Sequence, residues 1–403
     1  MQRIKAGRRL LCFIIASVML AAAGCSAETE PSGTETAVGQ TAVQTHPAAE
    51  TEPETVSESV TDKEDNEPVK ITFEHSDEII ISGFSWAPRV CGAGGVLLAG
   101  VETFGGIAVL RSEDGGLTWK DPVTASFYPE LNCANVNFYN DGDKLYLAYR
   151  ATSDSNGVRY TSLRVSVSED GGKTWAKHST VCEYTDNGGA GGVWEPYIIR
   201  IGGDLCCFYA NDHPSVTDRQ NIERRTWDGE AWTDRIIISD GKKHDSRDGM
   251  PVVCRLDGGG YICLIESTAD RRKGYPFVLK ALYSDDGETW SEPVTVYTPK
   301  TKRSKAAAPG VVCLPDGRLV ISFQTDEDAT AKGDGTSVMK FIVSDGSPAA
   351  ELTEKSFTAP ENIFGTPDGE SSVWTGIYYE NGRLFAAAGT KNGSSLKITD
   401  TGT

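Results

Sequence analysis

Histidine is scarce in this 403-residue chain, with five in all. None has the spacing of a zinc site, and no Asp/Asn-rich loop of the EF-hand kind occurs. No metal site of these kinds and no cofactor are therefore expected, an ion on the axis of the fold being the alternative left open. Positive charge is also short: 39 Lys and Arg stand against 57 Asp and Glu, a formal net charge of −18. That balance argues against nucleic acid as a partner, because phosphate backbones are bound by cationic surface. No apolar run reaches the roughly 20 residues needed to span a bilayer as a helix. Beyond residue 70, helical periodicity is almost absent, which excludes bundles and α/β folds and leaves strands.

What the N-terminus does contain is a targeting signal. Arg3, Lys5, Arg8 and Arg9 precede an apolar run from Leu10 to Leu20, and AAAGC follows at 21–25. The segment resembles a bacterial lipoprotein signal, which implies cleavage after residue 24 and a lipid on Cys25. Ala22 stands where such signals usually carry Leu, so an ordinary secretory signal is the alternative. Residues 26–70 hold eleven acidic residues against Lys63 and Lys70, half of the formal charge, and almost no large apolar side chain. Such a segment cannot offset its ordering entropy by burial. It is expected to be a disordered tether over 25–69, leaving 70–403 as one folded domain. The expected protein is exported and membrane-attached through the lipid alone.

The folded part repeats. SEDGGLTW at 112–119 returns as SEDGGKTW at 168–175 and SDDGETW at 284–290, with worn copies TWDGEAW at 226–232 and VSDGS at 343–347. The aspartates before the glycine are Asp114, Asp170, Asp228, Asp286 and Asp345, spaced by 56, 58, 58 and 59 residues. A fixed period is the mark of a repeat architecture. Asp accepting turn N–H groups, Gly at positive φ and a Trp to bury are what a hairpin staple needs. These aspartates are accordingly read as scaffold. Each repeat opens with an apolar strand and a glycine turn (RVCGAGG, NFYNDGD, YIIRIGGD, VVCRLDGG, VVCLPDGR, IYYENGR) and continues with a second apolar strand. The pattern predicts an all-β fold, a six-bladed β-propeller of four-stranded blades. The sixth unit runs out after three strands, and KITFEHSDEIII at 70–81 is expected to supply its fourth and close the ring.

Ten cysteines in an exported chain suggest disulfides, but Cys91, Cys254 and Cys313 fall at one place in three repeats and are held apart by the architecture. Adjacent Cys206 and Cys207 point to opposite faces of a strand. Mostly free thiols are expected.

Topology predicts where chemistry belongs. In an up-and-down blade the Asp-Gly turns lie at one end, whereas residues that begin strand 1 or end strand 2 lie at the other. Strand 1 starts carry Arg89, Glu195, Asp248 and Trp374. Strand 2 ends carry Glu102, Arg150, Asn211, Glu266 and Gln324. A carboxylate ending an apolar strand is costly unless paired or used, which singles out Glu195 in GGVWEPYI and Glu266 in YICLIE. Converging carboxylates and guanidiniums suit a carbohydrate or an anion. His213, in a strand 2–3 loop, is a candidate to line the site, with a solvated loop histidine as the favoured reading.

With its Asp turns and six units, the chain resembles the sialidase superfamily over about 90–400. WEPYI with Glu195, Glu266 lying 71 residues later, RDGMPVV at 247–253 and QNIERRTWDGEAW at 220–232 make it most similar to the exo-α-1,5-L-arabinanases. The resemblance implies a retaining glycoside hydrolase, monomeric and exo-acting on an arabinan-type polysaccharide or oligosaccharide. It implies Glu195 as acid/base and Glu266 as nucleophile, an order the sequence itself does not fix. Trp194 and Trp374 would stack on sugars; Arg89, Arg150, Asn211, Arg247, Asp248 and Gln324 would hold hydroxyls or orient the carboxylates. The true sialidases are the alternative, with Arg89 as a first arginine. However, Trp374 falls where their tyrosine is expected, and LLAGVETFGG offers Glu102 rather than an aspartate. A propeller that binds glycans without catalysis is the alternative of another class.

Overall fold

A computed structural model describes residues 73–402 except 190, 218 and 365–369; the signal, Cys25 and the whole of the tether lie outside them. The described residues form six antiparallel sheets, five of four strands and one of three strands closed by two short N-terminal ones, arranged as the blades of a propeller. From axis to rim, blade 1 runs Trp86–Ala93, Val96–Glu102, Gly106–Ser112 and Lys120–Phe127. Blade 2 runs Asn132–Asn140, Leu145–Ser155, Val158–Ser168 and Ala176–Asp186. Blade 3 is Val193–Ile201, Asp204–Asn211, Asn221–Thr226 and Ile236–Ser239. Blade 4 is Asp248–Arg255, Tyr261–Ser267, Val278–Ser284 and Val294–Tyr297. Blade 5 is Ala306–Cys313, Leu319–Thr325, Val338–Val343 and Glu361–Asn362.

Blade 6 has only three strands of its own, Val373–Glu380, Arg383–Thr390 and Gly393–Asp400. Its rim is completed from the N-terminal side, as the sequence suggests. Ile79–Ser82 pairs with the last strand through Ile79 opposite Leu396, and Glu74–His75 pairs with it further along. The closing segment is broken in two where Glu78 turns its carboxylate onto Ser395, Thr390 and Asn392.

The second strand of each blade is sandwiched between neighbouring blades, so it reads as a continuous apolar run rather than an alternating one. Leu319–Thr325 is buried throughout, and only the first residue of Tyr261–Ser267 is partly exposed. The core is thus a ring of interfaces between blades. Cys206 belongs to one interface and Cys207 to the next, on opposite faces of one strand. All eight cysteines in the described residues are free.

The three full Asp turns are built alike. Ser112, Ser168 and Ser284 accept the N–H of Gly116, Gly172 and Gly287 at 2.8, 2.9 and 2.8 Å. Asp114, Asp170 and Asp286 each accept a threonine N–H at 2.9 Å. The indoles of Trp119, Trp175 and Trp290 close the turn by donating to the same three glycines' carbonyls. Gly172 sits at φ 86° with Leu98 Cδ1 2.5 Å from where a Cβ would be, so no other residue fits. In the worn copy Trp232 instead donates to Ser179 Oγ at 2.9 Å. All of these turns join strands 3 and 4, at the end of the ring away from Glu195 and Glu266.

Candidate functional site

A cavity of about 530 Å³ runs along the axis, lined by the innermost strands of all six blades. Its chemistry is set by one backbone device repeated around the ring. Each innermost strand begins with a bulge whose first residue has left-handed φ: Ala87, Asn135, Glu195, Met250, Ala308 and Trp374, between 47° and 56°. The register slips there in every blade. A bulge re-aims a side chain and is over-represented beside active sites, and left-handed φ at a non-glycine residue costs free energy. Glu195 is the only acidic member of the six.

Just before each bulge, a second register position recurs. Trp86, Ala134, Trp194, Gly249, Ala307 and Val373 lie opposite Glu102, Arg150, Ala210, Glu266, Gln324 and Gly389. Three of these partners accept the bulge N–H of the next blade. Glu102 accepts from Asn135 at 2.6 Å, Glu266 from Ala308 at 3.1 Å and Gln324 from Trp374 at 2.7 Å. Between blades 3 and 4 the strand 2 position is Ala210, too short to reach, and Glu195 itself accepts the Met250 N–H at 3.1 Å.

This brings the two glutamates together at the entry to blade 4. Glu266, 6% exposed, also accepts from Arg247 Nη1 at 3.2 Å. Gly249 makes room for it, since a Cβ there would lie 3.1 Å from Glu266 Oε1. Arg247 lies over the Phe277 ring at 5.4 Å. Burial works against its charge, but Glu266 and Glu195 outweigh that and raise its pKa. Burial pushes the Glu195 carboxyl up to about 7, with the nearby Glu266 adding to the rise; Arg247, the Met250 N–H and Arg150 oppose it. One carboxyl is thereby tuned to hold a proton near neutrality, beside a second that accepts from Arg247 and the Ala308 N–H.

Arg150 approaches from blade 2. Its guanidinium lies 5.1 Å from the centre of the Trp194 ring, Arg159 covers the same ring at 5.5 Å, and the indole N–H donates to Asp212 at 2.7 Å. Arg150 Nε is buried without a hydrogen-bond partner. Burial lowers the Arg150 pKa against the pull of Glu102 and Glu195. Arg89 lines the cavity and donates to the Trp374 carbonyl at 2.8 Å, tying blade 1 to blade 6.

Four expectations need correction. Asn211 is fully buried, donating to Glu223 at 2.9 Å, because Ala210 holds the site-facing register and the next residue points into the sheet. Asp248 is 1% exposed and bound by Ser239 and Ser267 hydroxyls at 2.7 Å, since it pairs with Ser267 and so faces opposite to Gly249 and Glu266. Gln324 acts on the Trp374 N–H and Asp334 rather than lining the cavity. His213 is buried, stacked on Tyr184 at 4.9 Å and bonded to Ser215 and Thr185. Conversely, Glu102 sits at the same register as Glu266. Burial raises its pKa, against the Asn135 N–H, Arg150 and Arg89. Its place at the end of an apolar strand was visible; its equivalence to Glu266 needed the register.

No family model matches the sequence, and no curated protein matches it. Solved structures do. An alpha-L-arabinanase of Penicillium chrysogenum, solved with arabinobiose, is 18% identical with a TM-score of 0.59, over 82% of this chain and 99% of its own. A GH93 alpha-L-arabinofuranosidase of Fusarium graminearum, also solved with arabinobiose, is 17% identical with a TM-score of 0.56, over 81% and 97%. A sialidase of Streptococcus pneumoniae is 11% identical with a TM-score of 0.54, over 82% and 70%. The fold is shared with both groups.

Proposed function

We propose that the protein is a retaining glycoside hydrolase that removes terminal units from an arabinan-type polysaccharide, exported and held at the membrane by a lipid on Cys25. The observation that carries the reading is the pair Glu195 and Glu266. They come from different blades, meet at the entry to blade 4 away from the Asp turns, and share Arg247.

Glu266 attacks the anomeric carbon as the glycosidic bond breaks, and Glu195, its carboxyl raised to about 7, gives its proton to the departing oxygen. Glu195 then takes a proton from water, whose oxygen displaces Glu266 and releases the sugar with retained configuration. Arg247 orients Glu266, and Trp194, braced between two arginines, stiffens the wall beside Glu195. The order of roles that resemblance implies agrees with this electrostatic asymmetry.

The test is hydrolysis of linear arabinan and of a sialoside reporter by wild type, Glu195→Gln and Glu266→Gln, with the product anomer read by NMR. Arabinan turnover should fall about 10²–10⁴-fold in either variant. The grouping of Arg89, Arg150 and Arg247 favours a carboxylate-bearing sugar as second reading, while Trp374 supplies no phenol at the sixth bulge. Sialoside cleavage without arabinan cleavage would install that reading in place of the first. Sugar binding without any turnover would leave a binding propeller.

A further inference from the structure

Every Phe or Trp that the described residues leave exposed lies at the glutamate-bearing end of blade 1 or, for Trp374, at the start of the innermost strand of neighbouring blade 6. Phe84 is 85% exposed, Phe104 81%, Phe127 57%, Trp86 45% and Trp374 39%. Phe84 stands in the link between the closing strand and blade 1, and Trp86 opens that blade's innermost strand. Phe104 tips the loop after its second strand, and Phe127 ends its outermost one. These four positions share the end of the blade that carries the glutamates. Phe104 meets Trp86 edge to face at 5.4 Å. The Phe127 ring lies against Gly105 and Gly106. Trp374 of blade 6 continues the strip to the cavity through its carbonyl's bond with Arg89.

We propose that this strip is a second glycan-binding surface, which stacks the faces of neutral sugars and holds the length of polysaccharide outside the cleft. That the polymer is arabinan-type rests on the function proposed above; the strip itself rests on its own rings. Contiguous exposed aromatic surface beside a cleft marks a binding site, since these rings would otherwise be left in water. Aromatic rings offer flat apolar faces at little conformational cost. The segments GFSWA at 83–87, TFGG at 103–106 and ASFY at 125–128 contain no Lys or Arg, and Glu102 and Glu130 flank them. Within these segments an anionic glycan or an acidic headgroup finds no cation, and the guanidiniums beside them are engaged, Arg164 over the Tyr128 ring at 4.4 Å and Arg89 on the Trp374 carbonyl. A bilayer contact also lacks the basic flank of interfacial anchors, and it would press the cleft against the membrane.

The test uses the full chain with Cys25→Ser, so that no acyl chain intervenes, in affinity gels containing arabinan, galactan or xylan. Phe84→Ala with Phe104→Ala should weaken retention by at least one polymer about tenfold. Phe104→Trp should keep retention, and turnover of a short chromogenic arabinoside should not change. Equal retention of wild type and the double variant by every polymer overturns the strip even if arabinan is hydrolysed. Phenylalanine-dependent retention without any hydrolysis upholds the strip and sinks the proposed activity. Partition of wild type, but not of the double variant, onto neutral phosphatidylcholine vesicles in place of glycan retention also overturns it.

Discussion

At the scale of single residues, the site is an exercise in unequal environments for like groups. Glu195 and Glu266 share a guanidinium, and burial pushes the Glu195 carboxyl up to about 7. If Glu195 is the acid, kcat/KM falls as pH rises through about 7 in the wild type. Glu195→Gln should lose that limb, and an activated leaving group should restore much of its rate. Stability gives an independent check. An unfolded glutamate titrates near 4.5, so between there and about 7 the folded chain holds a proton that the unfolded chain has released. Stability contributed at this position therefore declines as pH rises across that window and levels off above it. Glu195→Gln should be more stable than wild type above pH 7, by on the order of 1–3 kcal/mol, with the gap closing near pH 4. Urea midpoints at both pH values measure it; a gap independent of pH would mean the carboxyl is not perturbed.

At the scale of the element, two local devices divide the work: Asp turns staple one end of blades 1, 2 and 4, and bulges re-aim side chains at the other end of every blade. The turns were legible in the sequence because their causes are local. Serine, aspartate, glycine and tryptophan act within eight residues, their 56–59 spacing marks the repeat length and polarity, and the six strand–glycine-turn openings mark the blade count. The bulges were not legible, since Ala87, Asn135, Glu195, Met250, Ala308 and Trp374 share no side-chain chemistry. Their one common trace is a following proline in four cases, Pro88, Pro196, Pro251 and Pro309. A one-residue slip reverses which face each side chain takes, and Asp248 lies one residue off the register that faces Glu266. The staple predicts its own failure. Trp175 donates to Gly172 and packs 6.0 Å from Phe138 between blades 1 and 2. Trp175→Ala should cost about 3 kcal/mol, while the turnover per folded molecule stays as in wild type, because the lesion lies at the far end of the ring. A matching loss of kcat at full folding would mean that the two ends are coupled.

At the scale of the whole molecule, the site is a property of closure. Glu195, Glu266, Arg150 and Arg89 come from four blades, and no blade holds a complete set of partners. Their convergence depends on a ring whose last blade borrows its rim from residues 74–82. Ile81 is the clasp. It is 4% exposed and packs with Phe385 and Leu396 of blade 6 and Leu97, Ala99 and Leu110 of blade 1. Ile81→Asp places a carboxylate in that interface without a partner, a cost of several kcal/mol. Because Arg89 and the strip from Phe84 to Phe104 lie just beyond this joint, the damage should spread inward. Hydrogen exchange should rise first over 393–400 and 86–102, polymer retention should fall, and the unfolding midpoint should drop, whereas exchange over 261–284 in blade 4 should lag behind. Uniform loss of protection around the ring would show instead that the propeller opens as one cooperative unit, with no weakest seam at its closing strand.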